Sequence, residues 1–265
     1  MKTKEILLKV FMVVSFLSII GFAAYRMYPS STIATLRPML RGMENTIVSY
    51  RVGNYDFITT EHFIICYDDG IDQEIVDLVA KTAEDKYRTV EEVFQYKTEE
   101  KILVVLYDDP RALMRNTMLR QGPVPMGVYY GDSIHLLNPV HWVKDLEEID
   151  RIFYSQGPFL HELVHLFTDH VAKGNFPLWF TEGISLYFEY MVDEYEWGKD
   201  AVFEDEEYTL DILTKEFHQL DDYLAYTQSF RIIRDFVDIH GIEALLNILR
   251  DLGEGKDIKE FIHLF

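Results

Sequence analysis

Apolar and polar positions alternate along this chain in ways that divide it into regions of different character. From Ile6 to Tyr25 the run is apolar with one charge, Lys9. Lys9 is near enough to an end to snorkel, and twenty residues at helical rise just cross a hydrocarbon core. The pattern predicts a transmembrane helix, with Lys2 and Lys4 in front suited to the cytoplasmic side. Gly21-Phe22-Ala23 also reads as a small-x-small cleavage site, so residues 1–27 are either an anchor or a removed signal peptide. Residues 28–54 mix Pro, Ser, Arg and Gly with no sustained period and read as a stalk.

From Tyr55 to the end, residues 55–265, the pattern becomes that of a globule. His62 to Tyr67 is a short apolar run closed by Asp68-Asp69-Gly70, a buried strand and turn. Ile75, Leu78, Val79, Ala83, Tyr87, Val90 and Phe94 recur at helical spacing, which predicts a helix over 73–94. Lys101 to Tyr107 is a second strand, and Pro110 to Leu119 a short helix. Such alternation indicates a layered α/β half. Gly127 to Leu137 reads as two short strands, or one bent strand, around Gly131-Asp132. As a sheet edge it could pair with an extended peptide, or serve no function at all. From Ile149 onward the pattern is helical, with Glu204-Asp205-Glu206-Glu207 in a loop that lacks the spacing of a calcium-binding loop.

One helix carries chemistry. Gly157-Pro158 opens it and Gly174 stops it. On it His161 and His165 stand four residues apart, one turn apart on one face, where two imidazoles reach the same zinc ion. Glu162 is rotated to lie beside the metal rather than on it, the position of a general base. A catalytic zinc needs a third protein ligand. Downstream, Thr181 is a candidate cap of the next helix and Glu182 falls in its first turn, between Phe180 and Ile184. Glu182 reads either as an acid favoured by the helix dipole or as the third ligand, and only the second reading also explains its apolar flanks. Asp169 lies near the metal face, either to orient a ligand or as an exposed helix acid. His170 points away from the metal, and His135, His141, His218 and His240 have no ligand-like spacing.

His-Glu-x-x-His followed by Trp179-x-x-Glu182-Gly183-x-Ser185-x-Tyr187-x-Glu189 resembles the gluzincin peptidases, the clan that includes thermolysin and a family of zinc aminopeptidases. It resembles most the compact bacterial group of peptidase MA-like metallohydrolases, over about His62 to Gly241. The resemblance implies an α+β, zincin-like catalytic domain with a small mixed β-sheet and a helical C-terminal part. It implies zinc held by His161, His165 and Glu182, with Glu162 as base and proton shuttle. Sixteen residues separate His165 from Glu182, fewer than in the aminopeptidases, so the connecting loop is shorter. Ala225 to Phe230, leading into a helix that ends at His240-Gly241, resembles the aminopeptidase segment whose tyrosine meets the oxyanion, which makes Tyr226 the candidate donor. No segment resembles the one by which aminopeptidases hold a free amino terminus.

Charge and cysteine content narrow the setting. The net charge is −20, and the lone Cys66 excludes an intramolecular disulfide and a cysteine zinc site. Up to Arg51 there are seven basic and two acidic residues, so the remainder holds 18 basic and 43 acidic ones. So acidic a body argues against nucleic-acid binding. The expectation is a zinc metallopeptidase, an endopeptidase acting on peptide or protein substrates, tethered by a single membrane pass with its domain outside the cytoplasm, or secreted if the segment is cleaved. The competing expectation is a non-catalytic zincin-like binding or regulatory module at the cell envelope. The oligomeric state is not readable from the sequence.

Overall fold

The computed structural model describes residues 26–203 and 207–265; the predicted membrane segment and the acidic run 204–206 lie outside the described residues. Among the described residues no helix is long and apolar enough to cross a membrane. The architecture is α+β, a five-stranded mixed sheet with helices predominating.

The chain opens with α1 (Pro29–Arg51), then β1 (Asp56–Thr59), β2 (Phe63–Tyr67), α2 (Gln73–Phe94), β3 (Ile102–Tyr107), α3 (Pro110–Asn116), β4 (Gly127–Tyr130) and β5 (Ser133–Leu137). Strand order is β1-β2-β3-β5-β4. The central strands β2, β3 and β5 run parallel, with α2 and α3 in the crossovers, while β1 and β4 pair antiparallel at the two edges. Gly131 and Asp132 both have positive φ (59° and 57°) and make the tight turn between β4 and β5. The segment is therefore a hairpin and not one bent strand.

Every residue of β3 is buried, so both faces of the sheet need a cover. One face, with Phe63, Ile65, Val104, Leu106, Ile134 and Leu136, packs against α2 and the later helices. The other, with Cys66, Leu103, Val105, Tyr107 and Leu137, is closed by Ala112 and Leu113 of α3 and by Val48 and Val52 at the end of α1. Residues 29–51, expected as an irregular stalk, thus form a helix that completes a core. Its internal Pro38 and Gly42 break the helical pattern in the sequence, and docking compensates for them. Arg37 reaches Asp169 at 2.9 Å and Arg41 reaches Asp132 at 3.4 Å.

The second half is helical: α4 (Ile149–Gln156), α5 (Phe159–Ala172), α6 (Leu178–Asp193), α7 (Leu210–Glu216), α8 (Asp222–His240) and α9 (Ile242–Gly253). Helix α5 lies between the sheet and α6, and α6 packs most extensively on α8. That crossing is close because Gly183 has no side chain. A Cβ there would stand 2.4 Å from the Ser229 carbonyl oxygen and 2.6 Å from Ile233 Cγ1. Gly183→Ala is expected to push α6 and α8 apart at a cost of about 1–3 kcal/mol, read from urea denaturation midpoints.

His135 is fully buried in β5, between the Tyr107 hydroxyl at 2.8 Å and the Ser133 hydroxyl at 2.9 Å. Its role is structural, as its lack of ligand-like spacing allows. Burial pushes its pKa down to about 4. The unfolded chain takes up this proton near pH 6.5 and the folded chain only near 4. The contribution is therefore complete above pH 6.5, is lost as pH falls between these values, and amounts to about 3 kcal/mol. His135→Gln is expected to flatten the stability profile in that window, checked by denaturation at successive pH values.

Candidate metal centre

Gly157 separates α4 from α5, and Pro158 stands at the start of α5. At the other end Lys173 and Gly174 take positive φ (52° and 67°) and stop the helix. The next helix begins at Leu178, so Glu182 is its fifth residue, just past the first turn where the dipole would favour it. Thr181 is likewise inside the helix and caps nothing, its hydroxyl being turned to His165 instead.

His161 Nε2 lies 3.1 Å from Glu182 Oε2, and His165 Nε2 lies 3.4 Å from the same oxygen. One donor atom from each of the three residues falls within a 4.8 Å cluster. The distal nitrogens are held from behind. His161 Nδ1 pairs with Glu189 Oε1 at 3.2 Å, and His165 Nδ1 shares a hydrogen bond with the Thr181 hydroxyl at 2.7 Å. With Nδ1 occupied in each ring, both Nε2 atoms are directed at the same Glu182 oxygen, where a metal ion would take the place of the proton that now bridges His161 Nε2 and the carboxylate. Two imidazoles and a carboxylate, each ring anchored by a second group, fit a tetrahedral zinc site with one open position.

The electrostatics favour a cation. Burial works against ionising Glu182, yet His165 and His161 outweigh it and hold the carboxyl well below the usual range. Burial likewise works against charging His161, but Glu182 and Glu189 raise its pKa well above the ordinary value. Glu162 is buried too, and burial pushes its pKa up against the pull of the two histidines. With Glu189, three carboxylates share this space with two imidazoles.

Glu162 stands outside the ligand cluster. Its Oε2 accepts the Tyr129 backbone N–H of β4 at 2.7 Å. Gly127 makes that approach feasible, since a Cβ there would meet Pro158 at 2.6 Å. Tyr129 also donates its hydroxyl to Asp169 Oδ2 at 2.6 Å. Asp169 has Arg37 and Tyr129 as its hydrogen-bond partners, not a histidine. It is buried, and Arg37 of α1 grips it through Nε and Nη2. The sequence reading of Asp169 as a ligand-orienting or exposed acid is corrected on both counts. The groups that orient the rings are Glu189 and Thr181. Glu189 had a signal, seven residues after Glu182 and so on the same helical face. Arg37 had none. His170 bonds Asp132 and Tyr96, away from the cluster.

Tyr226 belongs to the site but sits within α8, four residues past its start rather than ahead of the helix. Its ring rests on Phe217 and Trp197. Burial, then the negative charges of Glu182 and Glu162, raise its pKa, so the hydroxyl stays protonated and can donate. Two clefts of about 580 and 410 Å³ meet here, and Gly127, His161, Glu162 and Tyr226 line both. The groove they form passes along the outer edge of β4.

The sequence model of the Peptidase MA superfamily matches residues 82–264, well over half the chain. The span includes both histidines, Glu162, Glu182 and Tyr226. The chain belongs to this superfamily, with a gluzincin-like, protease-type domain. No curated protein matches it. The matched span begins within α2, so α1, β1 and β2 precede it.

Because Glu189 and Thr181 hold the rings by the Nδ1 atoms, on the side away from Glu182, Glu189→Gln and Thr181→Val are expected to lower zinc affinity by about 10–100-fold each while the fold persists. Chelator competition against the wild-type protein measures this.

Proposed function

We propose that this protein is a membrane-tethered zinc metallopeptidase that cleaves peptide bonds outside the cytoplasm. One observation carries the reading: a buried carboxylate, Glu162, stands beside the three-ligand cluster without joining it, fixed by a backbone N–H. A purely structural metal site has no use for such a group.

Zinc, when bound, supplies a Lewis acid that polarises a carbonyl and makes water easier to deprotonate. The remaining work falls to the chain. Glu162, its carboxyl raised by burial, takes the proton of the attacking water and returns it to the departing amine. Tyr226, held protonated, donates to the carbonyl oxygen as negative charge gathers there. The outer edge of β4, whose hydrogen bonds to β5 leave alternate backbone groups facing outward, offers an extended peptide a strand to pair with. Gly127 and Tyr129 are on that edge, and Tyr129 already uses its N–H on Glu162.

The proposed setting is supported by Ile6–Tyr25, whose apolar length suits one membrane pass. A non-catalytic binding module of the same fold is the second reading. The retained base and the protonated tyrosine are what it leaves unexplained.

Glu162→Gln is expected to keep stoichiometric zinc and the wild-type melting temperature while losing peptide cleavage by a factor of at least about 10². Mass spectrometry of products from a mixed peptide library reads the activity. Tyr226→Phe is expected to lose about 10²–10³ in kcat with little change in zinc content. Undiminished cleavage by the glutamine variant would sink the peptidase reading.

A further inference from the structure

Helix α1 has an outer face that the domain does not use. Its exposed residues between positions 35 and 50 are Thr35, Leu36, Pro38, Met39, Leu40, Gly42, Met43, Thr46, Ile47, Ser49 and Tyr50. None is charged, in a chain where 26% of residues are. Arg51, at the last position of α1, is the exposed charged residue nearest this face. Leu36, Met39, Leu40, Met43, Ile47 and Tyr50 recur at intervals of three and four, so they form one stripe. These six are between 43% and 88% exposed. The stripe extends over roughly 21 Å at helical rise.

We propose that this face lies on the lipid bilayer, as an interfacial helix that seats the domain against the membrane. The proposal rests on the membrane-anchor reading of Ile6–Tyr25 given above.

Three observations favour lipid over a protein partner. The apolar run Ile6–Tyr25 ends only three residues before Pro29, where α1 begins, so a chain leaving a bilayer enters α1 at the interface. Tyr28 and Tyr50, both exposed, sit at the two ends of the helix, and tyrosine favours the headgroup level. Charge is complementary as well. Arg26 and Arg51, both exposed, lie at the two ends of α1, whereas the remainder of the chain past Arg51 carries 43 acidic residues against 18 basic ones. An anionic lipid surface accepts the first and repels the second. An uncharged face with a cation at each end and a modest overall hydrophobicity is the composition of a helix that lies in the interface rather than across it.

The seat is rigid with respect to the site. Arg37 of the same helix grips Asp169 on the metal-site helix, and Arg41 reaches Asp132 at the β4–β5 turn. Seating α1 therefore fixes the height and tilt of the metal centre above the lipid.

The test uses the full chain in vesicles of phosphatidylcholine with a minority of phosphatidylglycerol. Nitroxide labels go on Leu40→Cys, Met43→Cys and, as a control on α2, Glu92→Cys, all with Cys66→Ser. Expected is a several-fold preference for oxygen over a water-soluble nickel chelate as collision partner at positions 40 and 43, and the reverse at 92. A chain that floats with the vesicles but is nickel-accessible at 40 and 43 would falsify the seat while leaving the anchor standing. Spin–spin broadening at 40 and 43 that disappears on dilution with unlabelled protein assigns the face to a second copy and likewise overturns it. A chain that fails to float removes the anchor reading, and the seat with it.

Discussion

Asp169 holds a negative charge where water barely reaches it, and most of what surrounds the site is arranged to make that tolerable. An unpaired carboxylate so buried costs several kcal/mol. Here it accepts three bonds from the Arg37 guanidinium, two of them shared by Nε, and one from the Tyr129 hydroxyl. Each partner arrives on a different element: Asp169 on α5, Arg37 on α1, Tyr129 on β4. The one charge thus ties the first helix, the sheet edge and the metal-site helix together. Through Tyr129, whose backbone N–H holds Glu162, the same tie sets where the base stands.

The metal centre poses the opposite problem. Glu162, Glu182 and Glu189 are drawn together around two imidazoles, a crowding of like charge that the histidines relieve only in part. A divalent cation relieves it more fully, and its binding energy then becomes folding energy. Glycine at 127 and at 183 lets Pro158 and the Ser229 backbone, respectively, approach to distances no side chain permits. The close crossing of α6 and α8 also brings Tyr226 near Glu182, so packing and chemistry have the same geometric origin.

How the sequence announced these features varied with the range of the interaction. The helix over 73–94 and the strands near 62–67 and 101–107 were legible because each has its own period, and the structure has Gln73–Phe94, Phe63–Tyr67 and Ile102–Tyr107. Strand β1 went unseen because it is four residues long, mostly exposed, and exists as a strand only by pairing with β2. Helix α1 was hidden by Pro38 and Gly42, which weaken local helical preference. Its stability comes from covering the second face of the sheet, a contact between residues far apart in sequence.

The sequence by itself determined the face of the site: the His161 and His165 pair with Glu162 beside them, whereas Glu182 had a second reading and Tyr226 entered only through the family resemblance. Spacing along a helix is a local quantity, so a metal-binding face can be read from four residues and a turn. Only the tertiary structure decided which groups stand behind the rings, that Asp169 answers to Arg37 rather than to a histidine, and that residues 29–51 belong to the body of the protein. Those outcomes turn on which faces meet, and no local period encodes a contact that spans 132 residues between Arg37 and Asp169. Burial then assigns each charge its worth.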